Sequence, residues 1–353
     1  MTHDLPDEAY AVALAMWPDV GPAALRSLSA DHSPREAWER TTSGSSGAWD
    51  RLRRAWQYHL DYAINVLLPT HPSYPRRCFE DPAGPPLLFC KGDPGVLNGA
   101  TTVGIVGTRA ATRYGIGVAA QLGADLSAAG VSIVSGLALG IDAAAHEGAC
   151  GSGAPPIAVV AGGLDDPYPR RHARLWERVA EHGAIISESP AGTATEKWRF
   201  PVRNRLLAAM SDAVVVVESR HHGGSSYTVE AALGLGRPVG AVPGSIRSAT
   251  SEGTNALLAD GAFLVSSAGD VLVRLGLDGF SVPASPPRAG PRSRPVPEPG
   301  EEKLVYDVLT PDPSSLDQLV RATGLGLPAL CGTLERLARA GLARDAGGWW
   351  ERV

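Results

Sequence analysis

Five short segments of the chain carry residue types that grip phosphate. The first is Gly107-Thr108-Arg109, which ends an apolar run and precedes a helix expected just after Tyr114-Gly115. Backbone N–H groups at a helix start attract anions, and glycine lets a phosphate come close. Arg109 stands where a cation would reach that phosphate. The spacing is not Gly-x-Gly-x-x-Gly, so a dinucleotide cofactor is not expected. Ser135-Gly136-Leu137-Ala138 leads into Gly140-Ile141-Asp142, where Asp142 is expected to cap a helix and His146, one turn on, to pack inside. Gly162-Gly163 precedes Tyr168-Pro169-Arg170-Arg171-His172. Cations at a helix start oppose the helix dipole, which favours a bound anion at Arg170. Arg203-Asn204-Arg205 follows Trp198 and Phe200, and interleaved cations and aromatics suit unpaired bases better than a duplex. Phe200 itself is expected to seal the core. Last, Gly223-Gly224-Ser225-Ser226-Tyr227-Thr228 offers glycine and hydroxyls at a helix start, a further anion cradle. The neighbouring His221-His222 lacks the helical spacing of a ligand pair, and no metal is expected.

These loops need a frame that brings them together. Short β-branched runs recur at Thr102–Val106, Val131–Val134, Ile157–Val160, Ala184–Ile186, Ala213–Val217, Pro238–Val242 and Ala262–Val265, with helical stretches between them. Apolar strands alternating with helices predict a parallel sheet covered on both faces. Right-handed crossovers then line up the strand-to-helix loops along one edge, where open α/β sheets bind ligands. The expected fold is α/β, an extended Rossmann-like doubly wound parallel sheet over 69–276. Residues 1–68 are expected to form a small helical module with helices over Ala11–Met16, Ala23–Leu28 and Ala48–Leu68, and Gly21-Pro22 opens the second as helix-hairpin-helix turns do. The Pro-rich stretch within 277–300 reads as a tether. Three helices and a hairpin over 301–353 spell a winged helix.

The 353 residues are enough for two or three domains at about 150 residues each. No apolar run approaches the roughly 18–20 residues of a membrane span. The acidic start MTHDLPDEAYAVAL does not read as a secretory signal. Four scattered cysteines without a Cys-x-x-Cys pair argue against zinc and against a disulfide scaffold. A cytoplasmic, cofactor-free protein is the expectation. The net charge of −5 runs against nucleic acid overall, so binding depends on whether the arginines converge in one patch. In the winged helix, six cations face eight carboxylates, which favours protein contact over duplex DNA.

The chain resembles the bacterial DNA-processing protein A family (DprA, also called Smf). The matching stretches include Tyr74-Pro75, Ile105-Val106-Gly107-Thr108-Arg109, Ser135-Gly136-Leu137-Ala138, Gly140-Ile141-Asp142, Tyr168-Pro169-Arg170, Phe200-Pro201-Val202-Arg203-Asn204-Arg205, Val242-Pro243-Gly244 and Gly253-Thr254-Asn255. The resemblance implies sequence-independent binding and protection of single-stranded DNA, a homodimer, and delivery of DNA to the recombinase RecA during DNA uptake and recombination. It implies DNA contact at Arg109, Arg170, Arg203 and Arg205, with Gly107, Thr108, Gly136, Gly163, Asn204, Gly224, Ser225 and Thr228 in the phosphate loops. Around Gly224 the family pattern is closer to Ser-Gly-Ser-Leu-Ile-Thr-Ala, and this chain keeps Gly224, Ser225 and Thr228. The rival reading is a nucleoside-monophosphate phosphoribohydrolase on the same fold, with Glu230 as its acid. In that case the loop at His222 departs from the phosphate motif such enzymes carry.

Overall fold

A computed structural model describes residues 5–221, 223–277, 297, 299–310, 314–345 and 348–352. The chain divides into two compact units, Met1–Pro283 and Ala284–Val353. The Pro-rich tether expected between them falls almost wholly outside the described residues.

The first unit opens with helices α1 (Asp7–Ala15), α2 (Pro22–Asp31), α3 (Pro34–Thr42) and α4 (Ala48–Asp61). The sequence reading missed α3, although Ser33-Pro34-Arg35-Glu36 announces it. Ser33 Oγ accepts from the Glu36 N–H at 3.3 Å while the Ser33 N–H donates to the Glu36 carboxylate at 3.0 Å, a reciprocal cap. The helix expected over Ala48–Leu68 is shorter than that. It ends at Asp61, the chain turns through Ala63 at φ 52°, and Asn65–Leu67 becomes strand β1. Tyr10, Trp38 and Leu52 from these helices share one apolar core with Phe89, Ala158, Trp176 and Ile185 of the sheet layer. His59 of α4 ties the two together. Its Nδ1 faces the Ala55 carbonyl at 2.8 Å, and its Nε2 accepts from the Ala191 N–H at 3.1 Å. Those two partners fix a neutral tautomer, and burial lowers its pKa.

The sheet has nine strands in the order β1-β2-β6-β5-β4-β3-β7-β8-β9. Here β2 is Leu88–Gly92, β3 Thr102–Val106, β4 Ser132–Ser135, β5 Ile157–Val159, β6 Ala184–Ser187, β7 Ala213–Val216, β8 Val239–Ala241 and β9 Phe263–Leu264. The seven expected runs are β3 to β9, and all of their pairings are parallel. The expectation of a purely parallel sheet needs one correction, because β1 and β2 add an antiparallel extension beyond β6. Helices α5 (Arg113–Ala128), α6 (Ile141–Ala149), α7 (Ala173–His182), α8 (Arg199–Ala209), α9 (Ser226–Gly234) and α10 (Glu252–Ala259) make the crossovers, and α11 (Ala268–Arg274) follows β9. The chain runs outward from β3 to β6, then returns to the other side of β3 at β7. The loops after β3 and β7 therefore diverge, and a crevice opens between them, as doubly wound sheets require at this point.

His146, on α6, is fully buried, and neither ring nitrogen makes a hydrogen bond of good geometry. Burial pushes its pKa down to about 4, partly offset by the Ser135 backbone. The unfolded chain thus takes up a proton near pH 6.5 that the folded chain refuses until about pH 4. The stability this histidine contributes is complete above pH 6.5 and lost as the pH falls toward 4. We expect the stability gap between wild type and His146→Gln to shrink by roughly 3 kcal/mol from pH 7 to pH 4. Urea unfolding of both proteins across that range checks it, and a constant gap would refute the neutral buried imidazole.

The second unit comprises α12 (Glu301–Val308), β10 (Ser314–Ser315), α13 (Leu316–Thr323), α14 (Leu327–Arg339), β11 (Ala343–Asp345) and β12 (Trp349–Arg352). Val305, Leu319, Leu330, Leu334 and Leu337 close its core. The three strands pair in the order β10-β12-β11, which completes a winged helix. Of its cations, Lys303, Arg336, Arg339 and Arg344 are already paired with Asp307, Glu302, Glu335 and Glu351. No helix among the described residues is long and apolar enough to cross a membrane.

Candidate nucleic-acid interface

The crevice between the β3 and β7 loops is a cleft of about 520 Å³. Its walls include Gly107, Thr108, Arg109, Arg203, Asn204, Gly224, Ser225 and Thr228, so eight of the expected site residues meet there. Lys197 and Arg220 join them, and among the described residues the only carboxylate in the lining is Asp142. Four cations against one buried acid make this cleft locally positive in a chain of net charge −5. A smaller cavity adjoins it through Arg109, Ala138, Tyr168 and Phe200, and is walled by Gly136 and Gly163.

Each wall is held by local chemistry. The Thr108 N–H donates to the Glu218 carbonyl at 2.8 Å, which ties the β3 loop to the end of β7. The Glu218 carboxylate accepts from the Thr112 N–H at 2.9 Å, the Thr112 hydroxyl at 2.5 Å and the Thr250 hydroxyl at 3.3 Å. One buried acid thereby fixes three loops. Sequence reasoning missed it, although a lone charged residue ending the run Ala213-Val214-Val215-Val216-Val217 marks a strand terminus at a sheet edge. Gly140, at φ 78°, crosses the Thr108 carbonyl so closely that a Cβ would lie 2.4 Å from the oxygen. Leu137, buried at φ 53°, is a strained position in the same loop, and the His172 ring binds its carbonyl at 3.0 Å. The Asn204 amide donates to the Gly224 carbonyl at 3.1 Å, and Ser219 and Ser225 share a 2.8 Å hydrogen bond, so the last loop is braced as well.

The aromatic groups lie at the mouth. The Arg109 guanidinium sits 4.3 Å over the Phe200 ring, and the Tyr168 ring lies 6.1 Å from it, centroid to centroid. Phe200 does not seal the core as expected. It is half-buried, with one face under Arg109. Tyr168 and Tyr227 are about half exposed and line the cleft. Exposed ring faces beside cations give unpaired bases a place to stack.

Four expected positions differ. Arg203 lines the cleft but is only 7 % exposed, donates to the Val159 carbonyl at 2.5 Å, and packs against Gly136, where a Cβ would be 1.8 Å from its Nη1. Burial lowers its pKa, and the charge of Asp142 works the other way. It is a fixed charge beneath the floor and does not reach out as an arm. Arg205 lines neither cavity. It points away and pairs with Asp81 and Glu188, binding the segment before β2 to the end of β6. Asp142 is not a cap, because Gly140 occupies that position. The Asp142 side chain is buried, and burial raises its pKa against the pull of Arg203. Arg170 is 85 % exposed on the outer rim, 3.4 Å from Asp166, and lines neither cavity.

Comparison with known proteins finds family models over both units. The family model described as DNA recombination-mediator protein A matches residues 65–276, and the DprA winged helix domain model matches residues 285–348. A putative DNA processing protein DprA of Mycobacterium tuberculosis is 43 % identical over 248 residues. That alignment covers 70 % of this chain and 63 % of the relative, so the chain spans less than two thirds of the relative's length. Among solved structures, DNA processing protein A from Streptococcus pneumoniae matches with a TM-score of 0.59 and 31 % identity, over 76 % of this chain and 93 % of that one. The Helicobacter pylori DNA processing protein A, solved for its single-stranded DNA binding mode, matches with a TM-score of 0.56 and 29 % identity, over 62 % and 97 %.

Proposed function

The chain belongs to the DNA recombination-mediator protein A family, and from that membership and its cleft we propose that it binds single-stranded DNA without reading its sequence. The observation that carries this reading is the convergence of Arg109, Lys197 and Arg220 with the half-exposed rings of Tyr168 and Tyr227 in one cleft at the switch point of the sheet. Phosphates meet cations and backbone N–H groups there, while bases have ring faces to stack on. A duplex keeps its base faces stacked inside and offers none to those rings. We also propose, from family membership, that the protein acts as a dimer and hands the strand to the recombinase RecA in DNA uptake. Binding is preferred to nucleotide hydrolysis because Glu230, the acid that reaction needs, is exposed on α9 and lines neither cavity.

Fluorescence anisotropy with labelled single- and double-stranded DNA of the same sequence, across a salt series, tests the reading. Single strands should bind more tightly, with an affinity that falls linearly in log salt and changes little between oligothymidine and mixed sequence. Equal binding of duplex, or release of free base from nucleoside monophosphates that Glu230→Gln abolishes, would reverse the conclusion.

A further inference from the structure

Next to the main cleft lies a second, shallow seat that no step so far has used. Trp198 is 51 % exposed, and its indole is held rigidly. The ring N–H donates to Glu196 at 2.7 Å, and the Arg199 guanidinium covers the ring at 4.3 Å. Arg199 is in turn anchored by donating to the Ser189 hydroxyl at 3.1 Å. An indole fixed at its edge and backed by a cation is a preorganised stacking plate, with little side-chain entropy left to lose on binding.

The surroundings say what it stacks against. Trp198, Arg199, Ser189 and Val202 line a small cavity with Pro22, the first residue of α2, as another wall. Arg203 lines this cavity and the main cleft alike, so the two are neighbours across one side chain. The Arg203 Nε is buried without a hydrogen-bond partner. Lys197, adjacent in sequence to Trp198, lines the main cleft. The indole lines the cavity next to that cleft across Arg203, so a polymer with its phosphates on Lys197 has the indole in the neighbouring cavity.

The geometry points to Trp198 as a second base seat, where one additional unpaired base of a single strand stacks as the strand leaves the main cleft toward α2. The N-terminal helices then form part of the nucleic-acid path as well as packing on the sheet. This inference rests on the single-strand reading above. A stacking seat differs from a charge contact in that it adds affinity only once the strand is long enough to reach it, and it leaves the salt dependence alone.

The test uses the full chain with oligothymidylates of about 4 and about 16 nucleotides, which bracket common single-strand site sizes. Trp198→Ala should bind the short strand as wild type does and the long strand about tenfold more weakly, with an unchanged salt slope. Trp198→Phe, which keeps a ring on the same backbone, should recover most of the loss, and thermal melting of each variant reports on folding. Wild-type affinity of Trp198→Ala for the long strand overturns the second seat, as do equal losses at both lengths; either leaves binding in the main cleft standing. Failure of the wild-type protein to bind either strand overturns the single-strand reading and this inference together.

Discussion

Replacing Arg203 by leucine is expected to lower the unfolding free energy by about 3–5 kcal/mol, a drop in Tm of roughly 5–9 °C. The reason is burial. Arg203 is 7 % exposed and donates to the Val159 carbonyl, and its charge offsets the buried carboxyl of Asp142. Leucine leaves that carbonyl without its donor and that acid with the weaker pull of Arg109 as its remaining arginine charge. Removing one member of a buried charge pair costs far more than the pair itself contributes, because the surviving charge stays desolvated. Asp142 should then take up a proton at a higher pH than in the wild type, so the variant loses least stability in mildly acidic solution. Lysine at 203 restores the charge but not the planar group packed against Gly136, and should recover only part of the loss. Denaturant unfolding of the three proteins measures this. If Arg203→Leu keeps wild-type stability and instead loses affinity with a flatter salt slope, the side chain works as a phosphate arm and the floor assignment is wrong.

The same residue shows how much of the site could be read beforehand. The seven parallel strands were legible because their β-branched runs are short, continuous and separated by helical stretches, and the loops at their carboxyl ends follow from chain direction alone. The two antiparallel strands were not, since Asn65–Leu67 and Leu88–Gly92 are apolar runs too brief to tell from a helix end or a loop. Arg203-Asn204-Arg205 was legible as a motif but not as a geometry. On α8 successive side chains diverge by about 100°, so the three must point in different directions. One enters the floor, one braces the Gly224 loop and one leaves for Asp81 and Glu188. Lys197 and Arg220 reach the cleft from loops with no periodicity and Tyr227 from the first turn of α9, and only the folded chain puts them beside Arg109. Glu218 was hidden for another reason. Its role is to accept hydrogen bonds from Thr112 and Thr250, and partners so far apart in sequence leave no local pattern.

Arg109→Ala is expected to weaken single-strand binding by roughly tenfold or more at low salt and to reduce the salt slope by about one. Arg109 is the exposed cation common to both cavities, and Phe200 beneath it holds the guanidinium in place. It therefore contributes a charge for phosphate and a planar face for a base. Arg109→Lys separates the two contributions. Lysine keeps the charge, so the salt slope should stay near wild type, but it loses the planar stack, so affinity should fall between those of wild type and alanine. Arg170→Ala provides the contrast. That side chain sits on the rim, largely solvated beside Asp166, and a screened charge there should cost less affinity than Arg109 does. Anisotropy titrations of the three variants at several salt concentrations, with melting curves to check folding, decide the matter. Unchanged affinity and slope in both alanine variants would falsify the placement of the strand. A larger loss at Arg170 than at Arg109 would move the strand out of the crevice and onto its rim, and Phe200 would then hold Arg109 in place for packing alone.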